Sequence, residues 1–528
     1  MEAWTAEERR RLAPHFTDVD GPVFALVDLP EVVKGALFAR YSRSAKSLRR
    51  LFLDEFLEEA HGASGSPPAV GTARADRLYE RVLSEYGDDS VAQLGGVHLA
   101  CEGASNLLTK VLERGRLMAY LEQSTRYVPF TDRPHGRWKY HVPAELEGHP
   151  LRARYVETLD RAFETYARLI DPMRLYWSAR FPQATGGTDA AWRSAIRARA
   201  LDSLRGLLPA ATQSNVGIFG TAQAYEALVL RMRAHPLREV QDAAEAMLGE
   251  LRKVIPAFLS RLDRPERGGV WTRYLAMRRA ETAQVARALL AGVEPEPRAE
   301  VTLTDFDPDG ELKVVAAALY AASSVPDDQL LAIARKLAPA ERARVLDAYV
   351  GRRENRRHKP GRAFERTAYR FDVLADYGAF RDLQRHRLLS IEWQPLSTRH
   401  GVATPPELEE AGALADWTRV MEESAALHEA LAGAGLGEVA AYAVALAYRV
   451  RFYMALNARE AMHVIELRTA PQGHPAYRRI CQAMLRLIGE QAGHRALAAA
   501  MSHADLSGAD TGRLDAERAA ERRRGAPG

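Results

Sequence analysis

The chain has 528 residues, 47% of them hydrophobic and 27% charged, enough apolar material for more than one core and too much for a mainly disordered or collagen-like protein. A formal net charge of +4 is slight at this length and lends no support to a large anionic partner such as a nucleic acid. Two cysteines, Cys101 and Cys481, exclude a disulfide framework or a thiolate zinc site and fit a reducing compartment.

From the N-terminus, MEAWTAEERRRLAP has no apolar h-region, and the longest apolar run, at 439–448, is about half of what a membrane span needs. A cytoplasmic protein without membrane association is expected. VFALV (23–27) reads as a strand, and GVHLAC (96–101) alternates as a half-buried strand does. Ser105 is placed to cap a helix over NLLTKVLERGR, which puts Arg114 and Arg116 at its C-terminal end. Helical periodicity follows at 152–170 and 242–262. An arginine-rich helical segment and a Glu-Pro-Glu-Pro stretch read as a spacer. Beyond it come strands at VTLTDF (301–306) and AYRFDVL (368–374), then a helix over GAFRDLQRHR opened by Gly378. Trp177, Trp192, Trp271 and Trp417 fall in helical stretches and are expected in a core or interface. The His235-Pro236 and His474-Pro475 pairs read as helix boundaries.

The chain repeats itself. RGRLMAYLEQSTRY (114–127) recurs as RHRLLSIEWQPLSTRH (385–400), two residues longer. Upstream, the strand-plus-helix run from Pro22 recurs from Val301. Downstream, LVLRMRAHPLREVQDAAEAML from Leu228 corresponds to VIELRTAPQGHPAYRRICQAML from Val464. Three blocks in one order predict an α+β unit used twice: a first repeat at 15–265, a helical and Pro-containing spacer at 266–297, a second repeat at 298–505 and a polar tail at 506–528.

The basic residues are almost all arginine, with eight lysines among 73, which suits either bidentate anion recognition or a biased genome. An Arg-x-Arg triplet is therefore worthless alone, with about eight expected by chance. Its continuation carries more. Glu122, Ser124, Arg126 and Tyr127 follow Arg114 and Arg116 within one helix end and its loop, a set of guanidinium, hydroxyl and carboxylate groups suited to a phosphate and a nucleobase edge. Solvated arginines and a loop cap explain the same residues at about even odds before the repetition is weighed.

These motifs resemble the flavin-dependent thymidylate synthases, whose signature is Arg-His-Arg, seven residues, Ser, and shortly afterwards Arg-Tyr. The first repeat keeps the spacing to Ser124 and the Arg126-Tyr127 pair but has Gly115 for the histidine. The second keeps Arg385-His386-Arg387, carries nine residues before Ser397, and follows Arg399 with His400. NAREAMHVIELR supplies Asn457, Arg459, His463 and Arg468 in the family's spacing, whereas the first repeat retains only Arg231 there. Arg205, before a Leu-Pro step, has Ala441 as its counterpart. YGDDSVAQL from Tyr86 and His358 in RRHKPGRAFE are looser matches.

The resemblance implies two tandem copies of that fold, a small antiparallel sheet with long helices. It assigns Glu122, Ser124, Arg126, Tyr127, Arg205 and Arg231 to the nucleotide, and Arg385, His386, Arg387, Asn457, Arg459, His463 and Arg468 to FAD. Arg114, Arg116, Ser397, Arg399 and His358 are secondary candidates, and no metal is expected. It further implies methylation of deoxyuridylate with FAD, NADPH and methylenetetrahydrofolate, without the cysteine that other thymidylate synthases use. A homodimer, a pseudo-tetramer of repeats, is expected, with no nucleic acid partner. Because the losses in the two repeats do not overlap, one composite site divided between them is the working expectation. A catalytically degenerate nucleotide- or flavin-binding paralogue, or methylation of another pyrimidine nucleotide, are the alternatives.

Overall fold

The computed structural model describes residues 3–42, 44–57, 93–183 and 189–508; most of YGDDSVAQL and nearly all of the polar tail lie outside them. Strands β1 (Gly96–Ser105), β2 (Met118–Glu122) and β3 (Gln213–Thr221) form one sheet in the order β1-β3-β2. Strands β4 (Val301–Phe306), β5 (Ala368–Asp376), β6 (Ser390–Trp393) and β7 (Arg449–Asn457) form a second in the order β4-β5-β7-β6. The order is used twice, with β4 added at an edge. Alternation explains β5 and β7, whose residues are buried at every second position so that Tyr369, Phe371, Val373 and Phe452, Met454, Leu456 face one core. VFALV forms no sheet strand. It contributes an isolated bridge, Phe16 to Leu26, because among the described residues no neighbouring strand is aligned to extend the pairing.

Helices leave the sheets at capped junctions. Ser105 accepts from the Leu108 amide at 3.0 Å, as its position predicts. In the second repeat the equivalent helix, Tyr377–Gln384, is capped by Asp376, which accepts from the Ala379 amide at 2.8 Å, so the helix starts one residue before Gly378. Thr221 and Asn457 cap the Ala222–Arg233 and Ala458–Arg468 helices in the same way. Counting from these caps corrects one alignment. Arg468 is the eleventh residue after Asn457, and the eleventh after Thr221 is Met232, so Arg231 stands one position short and about 100° round the helix from its supposed counterpart.

The chain divides into two compact units that cut across the repeats: Met1–Glu102 with Val111–Glu122 and Asn215–Val293, and Gly103–Lys110 with Gln123–Ser214 and Glu294–Gly528. The first contains most of the β1-β3-β2 sheet and the Val270–Leu289 helix, which buries none of its residues; Trp271, expected in a core or interface, is 52% exposed. The second joins the Leu151–Arg180 and Asp189–Leu204 helices of the first repeat to the whole second repeat. Its centre is an antiparallel junction between 206–211 and 442–447, where Ala210 N–H donates to Val444 O at 2.8 Å and Leu446 N–H returns to Leu208 O at 2.9 Å. The Leu151–Arg180 helix lies along Leu414–Gly433, tied by Arg161 to Glu423 and Arg168 to Asp416. Trp177 and Trp417 are buried here, as expected. Among the described residues no helix is long and apolar enough to cross a membrane.

Candidate functional site

Within the second unit, residues from both repeats converge. The Tyr377–Gln384 helix carries Asp382 three residues before Arg385, and the Leu204 end of the Asp189–Leu204 helix delivers Arg205. Arg205 lies across Gly378, where an added Cβ would meet its guanidinium at 3.0 Å, so the absence of a side chain there lets the arginine reach Asp382. Arg205 Nη1 is 3.4 Å from Asp382 Oδ2, and Arg385 Nη2 donates to Oδ1 of the same carboxylate. Arg468, at the end of its helix, points a third guanidinium at Asp382: Nη1 is 3.8 Å from Oδ1, and Nη2 donates to the backbone carbonyl. Burial alone would raise the Asp382 carboxyl, but Arg385, Arg468, Arg205 and Arg126 outweigh it and hold the pKa well below the usual carboxylate range.

Arg126 arrives from the loop after β2 and is more completely engaged. Its Nε and Nη2 donate to the two oxygens of Asp202 at 2.8 Å each, Nη1 to the Tyr477 hydroxyl at 2.8 Å and Nη2 also to Gln472 O at 3.0 Å. Burial opposes its charge, and Asp202 with Tyr477 overcomes that cost and raises the pKa well above the ordinary value. Ser124 turns its hydroxyl to the Arg126 amide at 3.2 Å, while Tyr127 is 44% exposed. His474 caps the Pro475–Glu490 helix, as its His-Pro pair predicts, and burial, followed by Arg205, holds it neutral well below the usual histidine pKa.

On the other side of Arg468, its Nε donates to His386 Nε2 at 2.9 Å, and the His386 and His463 rings meet edge to face with centroids 5.5 Å apart. Burial, and after it Arg468 and Arg385, depresses the His386 pKa far below its ordinary value; burial brings His463 down to about 4. His386, Glu460 and His463 each bring a ligand atom within 4.8 Å of the others, a grouping that could hold a metal ion. The hydrogen bonding argues otherwise. A neutral His386 that accepts at Nε2 carries its proton on Nδ1, the nitrogen 3.7 Å from Glu460, which then has no lone pair to offer. Lys359, Arg459 and Arg356 also act on this cluster, which makes it hospitable to an anion and costly for a cation.

The remaining candidates are dispersed. Asn457 uses its side-chain oxygen as the helix cap, and Arg459 donates to Pro360 O at 2.9 Å with Glu365 3.8 Å away. Arg387 is exposed in the bend three residues beyond its helix. His358 turns to Asn355 in its own loop, 3.1 Å away. Arg399 is exposed, Ser397 half-buried, and Trp393 occupies the strand position of Glu122, packing on Phe380 at 5.2 Å. Arg114, Arg116, Glu122 and Arg231 belong to the first unit. There the Tyr120 hydroxyl donates to Gly115 O at 3.1 Å and stands 2.6 Å from where a Gly115 Cβ would lie, so a histidine cannot enter without displacing it. Burial lowers the pKa of Arg231, with Arg114 adding repulsion. Both cysteines are poor nucleophiles, since burial pushes Cys101 up to about 11 and Cys481 up to about 12.

Sequence reasoning missed Asp202, Asp382 and Tyr477. Each aspartate precedes an arginine of interest by three residues, Asp202 before Arg205 and Asp382 before Arg385, a helical spacing that flags ion pairing.

Comparison with known proteins falls in line with the repeated architecture. A family model described as thymidylate synthase complementing protein matches residues 36–257 and again 302–492. A UPF0159 protein of Chlamydia muridarum is 38% identical over 523 residues, covering 97% of this chain and 98% of that protein. One from Chlamydia pneumoniae is 37% identical over 493 residues, covering 92% and 93%. A flavin-dependent thymidylate synthase of a Mycobacterium species is 29% identical over 207 residues, 39% of this chain and 77% of that enzyme.

Proposed function

We infer function from one premise: the chain belongs to the flavin-dependent thymidylate synthase family, whose model it matches twice in tandem. We propose that it is a flavoenzyme that methylates a uracil-type pyrimidine at C5, with FAD as cofactor and NADPH and methylenetetrahydrofolate as cosubstrates. The site is composite: the first repeat contributes Arg126 and Arg205, and the second contributes Arg385, His386, His463 and Arg468. The observation that carries this reading is the convergence of Arg205, Arg385 and Arg468 on Asp382, with His386 on Arg468 and Arg126 paired to Asp202, in one compact unit. A homodimer that presents four repeats is part of the proposal.

The flavin side is chemically suited to its group. Lys359, Arg356, Arg387 and Arg459 make an anion-favouring surround that would hold a pyrophosphate, and bound flavin would supply the hydride while folate supplies the carbon. The protein's own work is alignment. His386, fixed in one tautomer, and the Asp382 carbonyl restrain the Arg468 guanidinium from two sides, so that it is presented in one orientation toward developing negative charge. A degenerate binding paralogue is the second reading, favoured by the Tyr120 hydroxyl that closes the Gly115 position and by the carboxylates that already pair the first repeat's arginines. Reconstitution with FAD, followed by pyrimidine-dependent oxidation of the reduced flavin, separates the two. Wild type should turn over with methylenetetrahydrofolate, and Arg468→Ala should lose at least two orders of magnitude. A wild type that binds no flavin would reject the enzyme.

A further inference from the structure

We infer that the Val270–Leu289 helix is a dimerisation arm, which pairs antiparallel with the same helix of a second copy of this chain. The inference goes beyond the functional reading above, which includes a homodimer without a surface to hold it, and no ligand enters the argument.

The helix runs for 20 residues and buries none of them. Its half-buried positions, Thr272, Leu275, Ala276 and Ala286, fall on one face, the one from which Arg279 reaches the Ala234 carbonyl. Away from that face the sequence holds a heptad. Trp271, Tyr274, Arg278, Glu281, Val285 and Ala288 alternate at spacings of three and four, the a and d positions of a two-stranded coiled coil. Trp271 is 52% exposed, and Tyr274 and Val285 55% each. A contiguous apolar stripe left open in this way marks an interaction site.

The seam is complementary to itself when reversed. With a twofold axis between Arg279 and Ala280, Trp271 meets the partner's Ala288, Tyr274 meets the partner's Val285, and Arg278 meets the partner's Glu281, each contact being made twice. The largest side chain faces the smallest, two apolar ones face each other, and opposite charges meet at the centre. A parallel pair would set arginine against arginine and glutamate against glutamate at the same positions. The other arginines do not oppose the antiparallel pairing, because Arg279 is turned inward and Arg273 and Arg287 lie on the flank away from the seam. The seam itself is therefore neutral, which favours a second copy over an acidic partner.

The apolar surface is sufficient. Val270, Trp271, Tyr274, Met277, Val285 and Leu289 are each half exposed or more, and at about 150–250 Å² for a side chain of this size they leave roughly 550 Å² open. In an interface about 57% apolar, burying most of that corresponds to about 800 Å² per partner, the size of a standard specific interface.

The test is sedimentation equilibrium of the full-length chain without added ligand, on wild type, Arg278→Glu, Glu281→Arg, Arg278→Glu/Glu281→Arg and Ala288→Trp. Wild type is expected to be a dimer at about 10 μM. Either single reversal sets like charges face to face at both symmetry-related contacts and should weaken association by about tenfold or more, whereas the double variant restores the pairing with signs exchanged and should return to within about threefold of wild type. Ala288→Trp, which puts two indoles where one fits, should also weaken association by about tenfold or more. Circular dichroism checks folding, and if a charge variant fails to fold, Ala288→Trp decides. A wild type that stays monomeric at that concentration overturns the inference and leaves the seam to another partner. So does a dimer that every variant leaves unchanged, or a double variant as weak as the singles. Flavin and pyrimidine binding are not read in this experiment, so its failure leaves the functional reading standing.

Discussion

Breaking the Arg126–Asp202 pair should cost far more than removing both partners. The two side chains are each 9% exposed and bonded by two parallel contacts of 2.8 Å. Asp202→Asn leaves the Arg126 charge buried without its paired carboxylate, and a charge stranded in this way costs about 3–5 kcal/mol. Arg126→Met strands the Asp202 carboxylate and is expected in the same range. The double variant Arg126→Met/Asp202→Leu removes both charges and should lose under about 2 kcal/mol, giving a coupling energy of about 4 kcal/mol or more. A chain with two compact units need not unfold in one step, so the readout is native-state hydrogen exchange of the Asp189–Leu204 helix amides, which reports the local opening energy. Single variants costing under about 1 kcal/mol, or a double variant whose loss is the sum of the singles, would refute the reasoning.

Gly115→His should not restore a working motif in the first repeat: the Tyr120 hydroxyl, 2.6 Å from the new Cβ, must move, at about 1–3 kcal/mol, and Gly115→His/Tyr120→Ala should regain most of that in a thermal melt. Stability should fall as the pH drops below the unfolded histidine pKa of about 6.5, because the unfolded chain binds protons that buried His386, His463 and His474 refuse. For His463 the loss should end near pH 4, where the folded ring also protonates, and His463→Gln should flatten a plot of urea midpoint against pH between those limits. Asp382 acts in a lower window: held ionised by its arginines, it stabilises the fold above a pH of about 4 and loses that contribution as acid approaches its depressed folded pKa.

The duplication was legible because three sequence blocks recur in order, and β1, β4 and β5 because alternation survives in their sequences. VFALV misled because an apolar run of five needs an aligned neighbour to become a strand, and among the described residues its one bridge is to Phe16. Strands β3 and β7 went unread although RVRFYMALN alternates in burial at every residue; its arginines and asparagine hid a pattern that the apolar positions alone would have given. The alignment of Arg231 with Arg468 failed by one residue because both directly follow a leucine, Leu230 and Leu467, and the caps at Thr221 and Asn457 are what fix the helical phase. In the site, Arg385, His386 and Arg468 could be read as neighbours from helical spacing and the resemblance together. The pairing of Arg126 with Asp202 spans 76 residues, and that of Arg126 with Tyr477 spans 351. Separations of that kind are set by the junction at 206–211 and 442–447, which no local pattern announces.

The composite site predicts a flavin count. Purified chain loaded with FAD and freed of excess should carry one flavin per 528-residue polypeptide by its visible absorbance, and Arg385→Ala/His386→Ala should carry none. Two flavins per chain, or one that persists in that double variant, would contradict a single site built around the second repeat's Arg385-His386-Arg387.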